Sequence, residues 1–243
     1  MYLKRIELKE EKIRCWGRYP FSLPIIKNLK SLDFKSNVTF LVGENGSGKS
    51  TLIEAIAIKC GFNPEGGSKN FKFSSYDSHS KLYEHLVVTK GFKTPKDGFF
   101  LRAESFYNVA NYIEKLDQEN MDLPPLKNQY GGSLHEQSHG ESFLSLIQNR
   151  FRGNGLYILD EPEAALSPSR QLSLIILINE LVKKNSQFII ATHSPILLTF
   201  PNADVISLEQ DAISHKPYYE TEHFILTKQF INNPDKMLHL LLD

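Results

Sequence analysis

The sequence of 243 residues has little of what marks several large classes of protein. Its two cysteines, Cys15 and Cys60, show neither the density of a disulfide scaffold nor the spacing of metal ligands. No apolar run approaches the ~18 residues of a membrane span, and the amino terminus has no apolar core of a secretion signal. Sustained heptads are missing, which excludes a long coiled coil. These absences predict a cytoplasmic protein without direct membrane insertion.

An excess of charge is also missing, because 28 Lys and Arg residues balance 28 Asp and Glu residues. Proteins that bind nucleic acid over a wide surface usually carry net positive charge, so a nucleic-acid partner has support only from local lysine clusters. The length suffices for one α/β domain with its own core. We expect residues 1–243 to form a single domain, with 106–149 as a helical sub-lobe.

What the sequence does contain is a phosphate-binding loop, because residues 43–50 match the pattern G-x-x-x-x-G-K-[ST]. Apolar residues at 38–42 predict a buried strand before the loop, and residues 52–58 predict a helix after it. Backbone N–H groups and the helix N-terminus then face a phosphate. We expect Lys49 to reach the β- and γ-phosphates and Ser50 to bind Mg²⁺. The predicted nucleotide-binding residues are Gly43, Glu44, Asn45, Gly46, Ser47, Gly48, Lys49, Ser50 and Thr51.

Two further apolar stretches each predict a strand that ends in a polar residue. Residues 156–159 lead to Asp160 and Glu161, which suit the Mg²⁺ shell and the polarisation of a water near the γ-phosphate. A strand cap with two solvated acids is the alternative. Residues 187–191 lead to His193, which at a strand's carboxyl end points to the nucleotide crevice. Glu161, His193 and Lys49 are therefore the catalytic candidates, with His193 as γ-phosphate sensor and a structural histidine as its alternative.

The first part of the chain predicts a small antiparallel edge. Residues 2–8 alternate between apolar and polar side chains, and residues 32–34 predict a neighbouring strand. Between them lies an aromatic cluster at 16–21. There, Tyr19 or Arg18 could stack on a nucleotide base, or the cluster could pack at the rim.

Three expectations concern the middle and the end of the chain. The pair Asp97-Gly98 predicts a tight turn before a strand at 99–101, and Glu104 follows that strand. Apolar residues recur at helical spacing over 106–116. The leucine-rich residues 237–242 should pack on the core, the alternative being an exposed docking helix.

A possible zinc motif lies in the predicted helical region. His135 and His139 match H-E-x-x-H, which on a helix can bind zinc for hydrolysis. Glycines flank this motif on both sides, which disfavours a preformed helix that carries both histidines. The alternative interpretation is that Ser138, Gly140 and Glu141 belong to a loop that opens an amphipathic helix, with its N-terminus facing phosphate.

Taken in chain order, these motifs resemble the ABC-type ATPase superfamily over essentially the whole sequence. The resemblance implies a P-loop NTPase of α/β class, with a mostly parallel core sheet, an antiparallel β edge and a helical sub-lobe. It implies ATP as the nucleotide. It also implies that Ser138 and Gly140 contact the γ-phosphate held by the other protomer of a head-to-tail dimer. Glu104 falls near the family's glutamine loop, which implies a role at the metal. His139 and Glu141 depart from the glycine and glutamine usual at their positions.

The residues that link the motifs indicate a branch of this superfamily. Residues 163–168, Glu-Ala-Ala-Leu-Ser-Pro, and 192–195, Thr-His-Ser-Pro, resemble the non-transporter, AAA_21-like branch. That branch includes overcoming-lysogenization-defect and RecF/SMC-type ATPases, and the chain also resembles short stand-alone bacterial ATPases. The resemblance implies an ATP-driven dimer that acts as a switch for an effector, either DNA-related or in defence. The alternative is the ATP-binding subunit of a membrane transporter.

Overall fold

The computed structural model describes residues 1–69, 79–119, 124–132, 138–209 and 212–242, and for His139 the backbone alone. Within those ranges the strands form two separate sheets. The strands are β1 Leu3–Leu8, β2 Ser31–Asp33, β3 Val38–Val42, β4 Leu86–Lys90, β5 Asp97–Arg102, β6 Gly155–Asp160, β7 Gln187–Ala191, β8 Asp204–Leu208 and β9 Ile213–His215.

The helices surround these sheets, and short 3₁₀ turns connect several of them. The helices are α1 Pro24–Lys27, α2 Lys49–Lys59, α3 Leu82–His85, α4 Phe106–Glu119, α5 His139–Arg150, α6 Pro168–Lys183, α7 Glu222–Asn232 and α8 Pro234–Leu242. The 3₁₀ turns are Glu10–Lys12, Leu126–Tyr130, Pro162–Ala165, Leu197–Thr199 and Tyr218–Glu220.

The larger sheet has the strand order β5-β6-β7-β3-β8-β9 in the described part of the chain. All neighbouring strands are parallel except the pair β8 and β9. Because β7 lies between β6 and β3, the carboxyl ends of these three strands meet at one edge of the sheet. The predicted α/β fold with a mostly parallel core sheet is confirmed, and this edge is where an open α/β sheet binds ligands.

The smaller sheet confirms the predicted antiparallel edge. Its order is β2-β1-β4, and both pairings are antiparallel. Arg5 lies opposite Asp33 and forms an ion pair with it at 2.9 Å. Strand β4 completes the sheet, so this edge is a three-stranded layer of its own.

The core lies on both faces of the larger sheet. Strands β3, β6 and β7 are buried along their whole length, as parallel strands covered on both sides must be. Helices α4, α5 and α6 cover one face, and Phe106, Val109 and Ile113 are buried there at the predicted helical spacing. Helix α2 and the smaller sheet cover the other face.

The predicted turn at Asp97-Gly98 is wrong, because both residues begin β5. Asp97 accepts hydrogen bonds from Arg150 at 2.7 Å and from the Tyr157 hydroxyl at 2.8 Å, which holds it in the sheet. Gly98 is required for space, since a Cβ there would lie 2.8 Å from the carbonyl oxygen of Leu156. Asp97 and Gly98 therefore allow β5 to pack closely against β6 and do not reverse the chain.

The expected packing of residues 237–242 on the core is also wrong. No described residue of α7 or α8 is buried, and Leu240, Leu241 and Leu242 are 72%, 71% and 80% exposed. Helix α8 packs on α7, which itself meets the rest of the chain near its N-terminus, so these leucines stay away from the sheet. Within the described residues, no helix combines the length and the apolar character needed to cross a membrane.

Candidate nucleotide-binding site

The loop between β3 and α2 wraps around an open space. Gly48 caps α2 with a φ of 102°, a left-handed conformation that favours glycine, and a Cβ there would lie 3.0 Å from Ile25 Cδ1. At Gly43 a Cβ would lie 2.5 Å from the carbonyl oxygen of Leu208. Glycine is therefore needed at both positions to let the backbone turn around a phosphate.

Lys49 lies across this loop. Its side chain donates hydrogen bonds to the carbonyl oxygens of Gly43 at 2.7 Å and Glu44 at 2.8 Å, and the residue is only 3% exposed. Burial lowers the pKa of Lys49, while the negative charges of Glu161 and Asp160 oppose that shift. The ammonium group is thus held where a phosphate would compete for it with backbone carbonyls.

Ser50 and Asp160 come together from opposite sides of the site. The Ser50 hydroxyl donates to Asp160 Oδ1 at 3.3 Å, and Asp160 is 5% exposed at the end of β6. Burial raises the pKa of Asp160 to about 6, although Arg102 opposes the rise, and the negative charge of Glu161 adds to it. A buried carboxylate beside a hydroxyl is a pair of hard oxygen donors that suits Mg²⁺.

Arg102 connects Asp160 to its surroundings. Its guanidinium lies 3.4 Å from Asp160 Oδ2, 2.7 Å from Glu54 and 3.8 Å from Glu104. The Glu104 side chain is 85% exposed and has Arg102 as a neighbour. Sequence reasoning missed Arg102 and Glu54, although an arginine at the end of a strand beside β6 is a usable signal.

No group of three His, Cys, Asp or Glu side chains in the described ranges is arranged to hold a metal ion. Ser50 and Asp160 still fit Mg²⁺, which commonly takes one or two protein ligands and completes its shell with water and phosphate oxygens. Of the proposed zinc motif, residues 135–137 lie outside the described residues. His139 begins α5, and its backbone alone is described.

Glu161 turns from the end of β6 towards the end of β7. It adopts a left-handed backbone conformation with φ of 50°, which is uncommon for a residue other than glycine and frequent at functional sites. Its N–H donates to the carbonyl of Ala191, and its side chain, 37% exposed, lies 3.6 Å from His193 Nε2. Glu161 and Lys49 line one cleft of about 330 Å³.

His193 is held by two contacts. Its N–H donates to Glu163, and its Nδ1 lies 3.1 Å from Nε2 of His223 in α7. Nε2 of His193 is buried without a hydrogen-bond partner among the described residues. Burial lowers the pKa of His193 to about 4, and the positive charge of Lys49 and the proximity of His223 add to that effect. The ring is therefore neutral near pH 7.

The remaining residues around the loop line two clefts. The cleft of about 330 Å³ also contains Tyr19, whose hydroxyl lies 3.0 Å from Thr51 Oγ1 and whose side chain is 63% exposed. Tyr19 is thus at the mouth of the loop and also lines a neighbouring pocket, whereas Arg18 lines that neighbouring pocket and not this cleft. The first cleft also contains Asn45, Gly46, Gly48 and Ser50, and a second cleft, of about 500 Å³, contains Gly43, Glu44, Asn45, Gly46 and Ser47.

Ser138 and Gly140 form the N-terminus of α5. The Ser138 hydroxyl donates to Glu141 at 2.6 Å, and Arg170 lies 3.3 Å from that hydroxyl and 2.9 Å from Glu141. The hydrogen bonds from Ser138, with help from Arg170, lower the pKa of Glu141. Gly140 approaches another turn, since a Cβ there would lie 2.7 Å from the carbonyl oxygen of Ala165. In one chain, the described contacts of Ser138 are with α5 and α6 and not with the phosphate loop.

Comparison with known proteins gives two family matches, an AAA domain at residues 11–119 and an AAA ATPase domain at residues 102–198. The nucleoside import ATP-binding protein NupA of Lactococcus lactis is 25% identical over 65% of this chain, which spans 34% of NupA. The cobalt import ATP-binding protein CbiO of Salmonella paratyphi A is 28% identical over 82% of this chain and 76% of CbiO.

Among solved structures, this chain is similar to cbiO1 of Clostridium perfringens, which is part of an ABC transporter complex. The two are 18% identical with a TM-score of 0.48, and the match includes 100% of this chain and 99% of cbiO1. The domain matches and the curated relatives support the ABC-type, P-loop ATPase superfamily that the motifs predicted. The curated relatives named here are import proteins, so they do not confirm the non-transporter branch.

Proposed function

We propose that this ABC-type ATPase binds Mg–ATP at residues 43–51 and hydrolyses it within a head-to-tail dimer of two copies, which acts as a switch for an effector. The observation that carries the proposal is the meeting of two pairs at one sheet edge. Ser50 contacts Asp160 at 3.3 Å, and Glu161 lies 3.6 Å from His193. Lys49 lies beside both pairs. This arrangement has every group that phosphoryl transfer to water needs from one protomer.

Each side chain has one task in this proposal. Lys49 gives up its carbonyl partners and stabilises negative charge on the phosphoryl group being transferred. Ser50 and Asp160 are the protein ligands of Mg²⁺, which when bound neutralises charge on the β- and γ-phosphate oxygens. Glu161 accepts a proton from the attacking water, and the neutral His193 donates a hydrogen bond to the γ-phosphate. Glu104, exposed beside Arg102, would add a further carboxylate near the metal.

The dimer supplies the second side of the site. Ser138 is exposed at the N-terminus of α5, whose helix dipole favours an anion, and its own N–H is held by the Glu141 carboxylate in a capping box. Arg170 adds a positive charge beside Ser138 and compensates the negative charge of Glu141. A γ-phosphate of the partner protomer would therefore meet a favourable surface there, in spite of the unusual glutamate.

The transporter subunit is the second candidate, because the curated relatives named above are import ATP-binding proteins. The linking residues 163–168 and 192–195 support the non-transporter branch instead. A transporter subunit should co-purify with a membrane-protein partner when expressed with its genomic neighbours. A switch protein should purify without one and bind a soluble effector in an ATP-dependent manner.

Light-scattering mass of Glu161→Gln tests the dimer. The substitution neutralises the carboxylate that accepts the water's proton, so Mg–ATP should bind without being hydrolysed. We expect the chain mass of 27.8 kDa without nucleotide and twice that mass with Mg–ATP. The double variant with Lys49→Ala is the matched control and should stay monomeric. A mass that does not change with nucleotide, while the parent still hydrolyses ATP, would reject the ATP-driven dimer.

A further inference from the structure

Helix α7 contributes a second imidazole to the candidate nucleotide-binding site. His223, the second residue of α7, places Nε2 at 3.1 Å from His193 Nδ1 and at 3.2 Å from the carbonyl oxygen of Gly43. The two rings meet edge to face, with centroids 4.8 Å apart and planes at 71°. One nitrogen of His223 thus touches both the phosphate loop and the histidine that faces it.

The carbonyl contact decides where the protons are. A carbonyl oxygen only accepts hydrogen bonds, so His223 Nε2 must carry a proton to make a favourable contact with Gly43. His193 Nδ1 then faces a donor at 3.1 Å and must accept. A neutral imidazole has one donor and one acceptor, so the proton of His193 is on Nε2. The opposite assignment would leave a lone pair of His223 against the carbonyl oxygen.

The proton on Nε2 is directed into the reaction site. Nε2 of His193 lies 3.6 Å from Glu161 and has no hydrogen-bond partner among the described residues. Burial keeps the pKa of His193 at about 4, so protonation does not supply the donor near pH 7. The donor is therefore supplied by the neutral tautomer that has its proton on Nε2. A ring with its proton on Nδ1 would present a lone pair to the γ-phosphate.

We propose that His223 is a positioning residue that holds His193 as the Nε2–H tautomer and so makes ATP hydrolysis depend on the docking of α7. The proposal rests on the ATPase function proposed above. It gives α7 a role although that helix has no buried residue in the described structure. Contact with α7 would set kcat, because His193 donates to the phosphate group that is transferred.

Nitrogen-15 NMR of the histidine rings tests the tautomer directly in nucleotide-free protein. We expect the His193 signal, assigned from its loss in His193→Gln, to show a proton on Nε2. His223→Gln keeps an N–H donor and should preserve this tautomer. His223→Glu offers only acceptors and should move the proton to Nδ1. Thr227→Ala, one turn along α7 and exposed, is the control and should change nothing.

Steady-state turnover supplies the second readout. His223→Glu should lower kcat by at least about tenfold, with KM for ATP nearly unchanged, because loss of the partner that orients a functional imidazole costs about tenfold to 10⁴-fold. His223→Gln should restore most of the parent kcat. If His223 only supported the structure near Gly43, its substitution would raise KM instead. Thermal unfolding of each variant checks that it folds.

The outcomes separate the two proposals. A parent His193 with its proton on Nδ1, or a His223→Glu variant with unchanged tautomer or unchanged kcat, would overturn the role of His223 and leave the ATPase intact. A parent without ATP turnover would refute the proposed function, whereas the tautomer measurement would still stand on its own.

Discussion

Replacing Asp160 by asparagine should stabilise the nucleotide-free protein and abolish Mg²⁺-dependent turnover. Asp160 is 5% exposed, and burial raises its pKa to about 6. Asparagine has nearly the same shape and no charge, so it removes the cost of keeping an ionised carboxylate in the interior. The same substitution removes one of the two protein ligands proposed for Mg²⁺.

The magnitude follows from the pKa difference between the folded and unfolded states. A folded-state pKa of about 6 against an ordinary value of 3.8 corresponds to about 3 kcal/mol of lost stability once both states are ionised. This value already includes the favourable interaction of Asp160 with Arg102 at 3.4 Å, which opposes the rise in pKa. We therefore expect asparagine to raise the free energy of unfolding by about 1–3 kcal/mol, or about 2–10 °C in Tm.

The sign of the pH dependence is specific. Because the folded-state pKa is raised, protonated Asp160 imposes no penalty below about pH 4, and the parent loses stability as pH rises through about 6. The stability advantage of Asp160→Asn should therefore grow between about pH 4 and 6 and stay constant above. Chemical unfolding without nucleotide and Mg²⁺ measures this difference.

Glu104→Gln is the matched control, since Glu104 contacts the same guanidinium but is 85% exposed. We expect Glu104→Gln to change the free energy of unfolding by less than about 0.5 kcal/mol at every pH, as most surface substitutions do. An Asp160→Asn variant that is less stable than the parent at neutral pH, or an advantage independent of pH, would refute the reasoning. Mg–ATP should reduce the difference in stability between Asp160→Asn and the parent, because the ligand binds strongly only to the parent and stabilises it.

Two further variants test other parts of the site. Lys49→Ala should reduce turnover at least about 100-fold, because it removes a preorganised cation from the transferred phosphoryl group, and titration with a fluorescent ATP analogue should show weakened or lost binding. Tyr19→Ala should raise KM for ATP about 5-fold to 100-fold if the ring stacks on the base, with kcat unchanged, whereas Tyr19→Phe should keep the parent KM. Equal KM values for all three proteins would assign Tyr19 to rim packing.

The parts of the fold that depend on local sequence could be predicted. The strand, loop and helix around residues 38–59 follow from an apolar run, three glycines and a helical pattern close together in the chain. The strands that lead to Asp160 and His193 follow from apolar runs in the same way. Parallel pairing then brings these strand ends together, because carboxyl ends of parallel strands share one edge.

Contacts between distant residues could not be predicted. His223 is 180 residues from Gly43, and a single histidine at the start of a helix carries no signal of the loop it meets. The exposure of residues 237–242 was missed because an apolar helix predicts burial but does not identify the surface that buries it. Asp97-Gly98 has the composition of a turn but lies in a strand because of its packing. Asp97 pairs with Arg150, and at Gly98 there is no room for a Cβ beside the carbonyl oxygen of Leu156.

Complementation between two inactive variants tests the head-to-tail dimer most directly. Lys49→Ala disables the phosphate loop, and Ser138→Arg blocks the N-terminus of α5 with a long charged side chain. In a heterodimer, one site carries both changes and the other carries neither. Mixing the two proteins in equal amounts should therefore restore turnover, up to about a quarter of the parent value, which is the limit for random pairing in a two-fold symmetric dimer. A mixture as inactive as each variant alone, with both variants folded, would contradict a site shared between two copies.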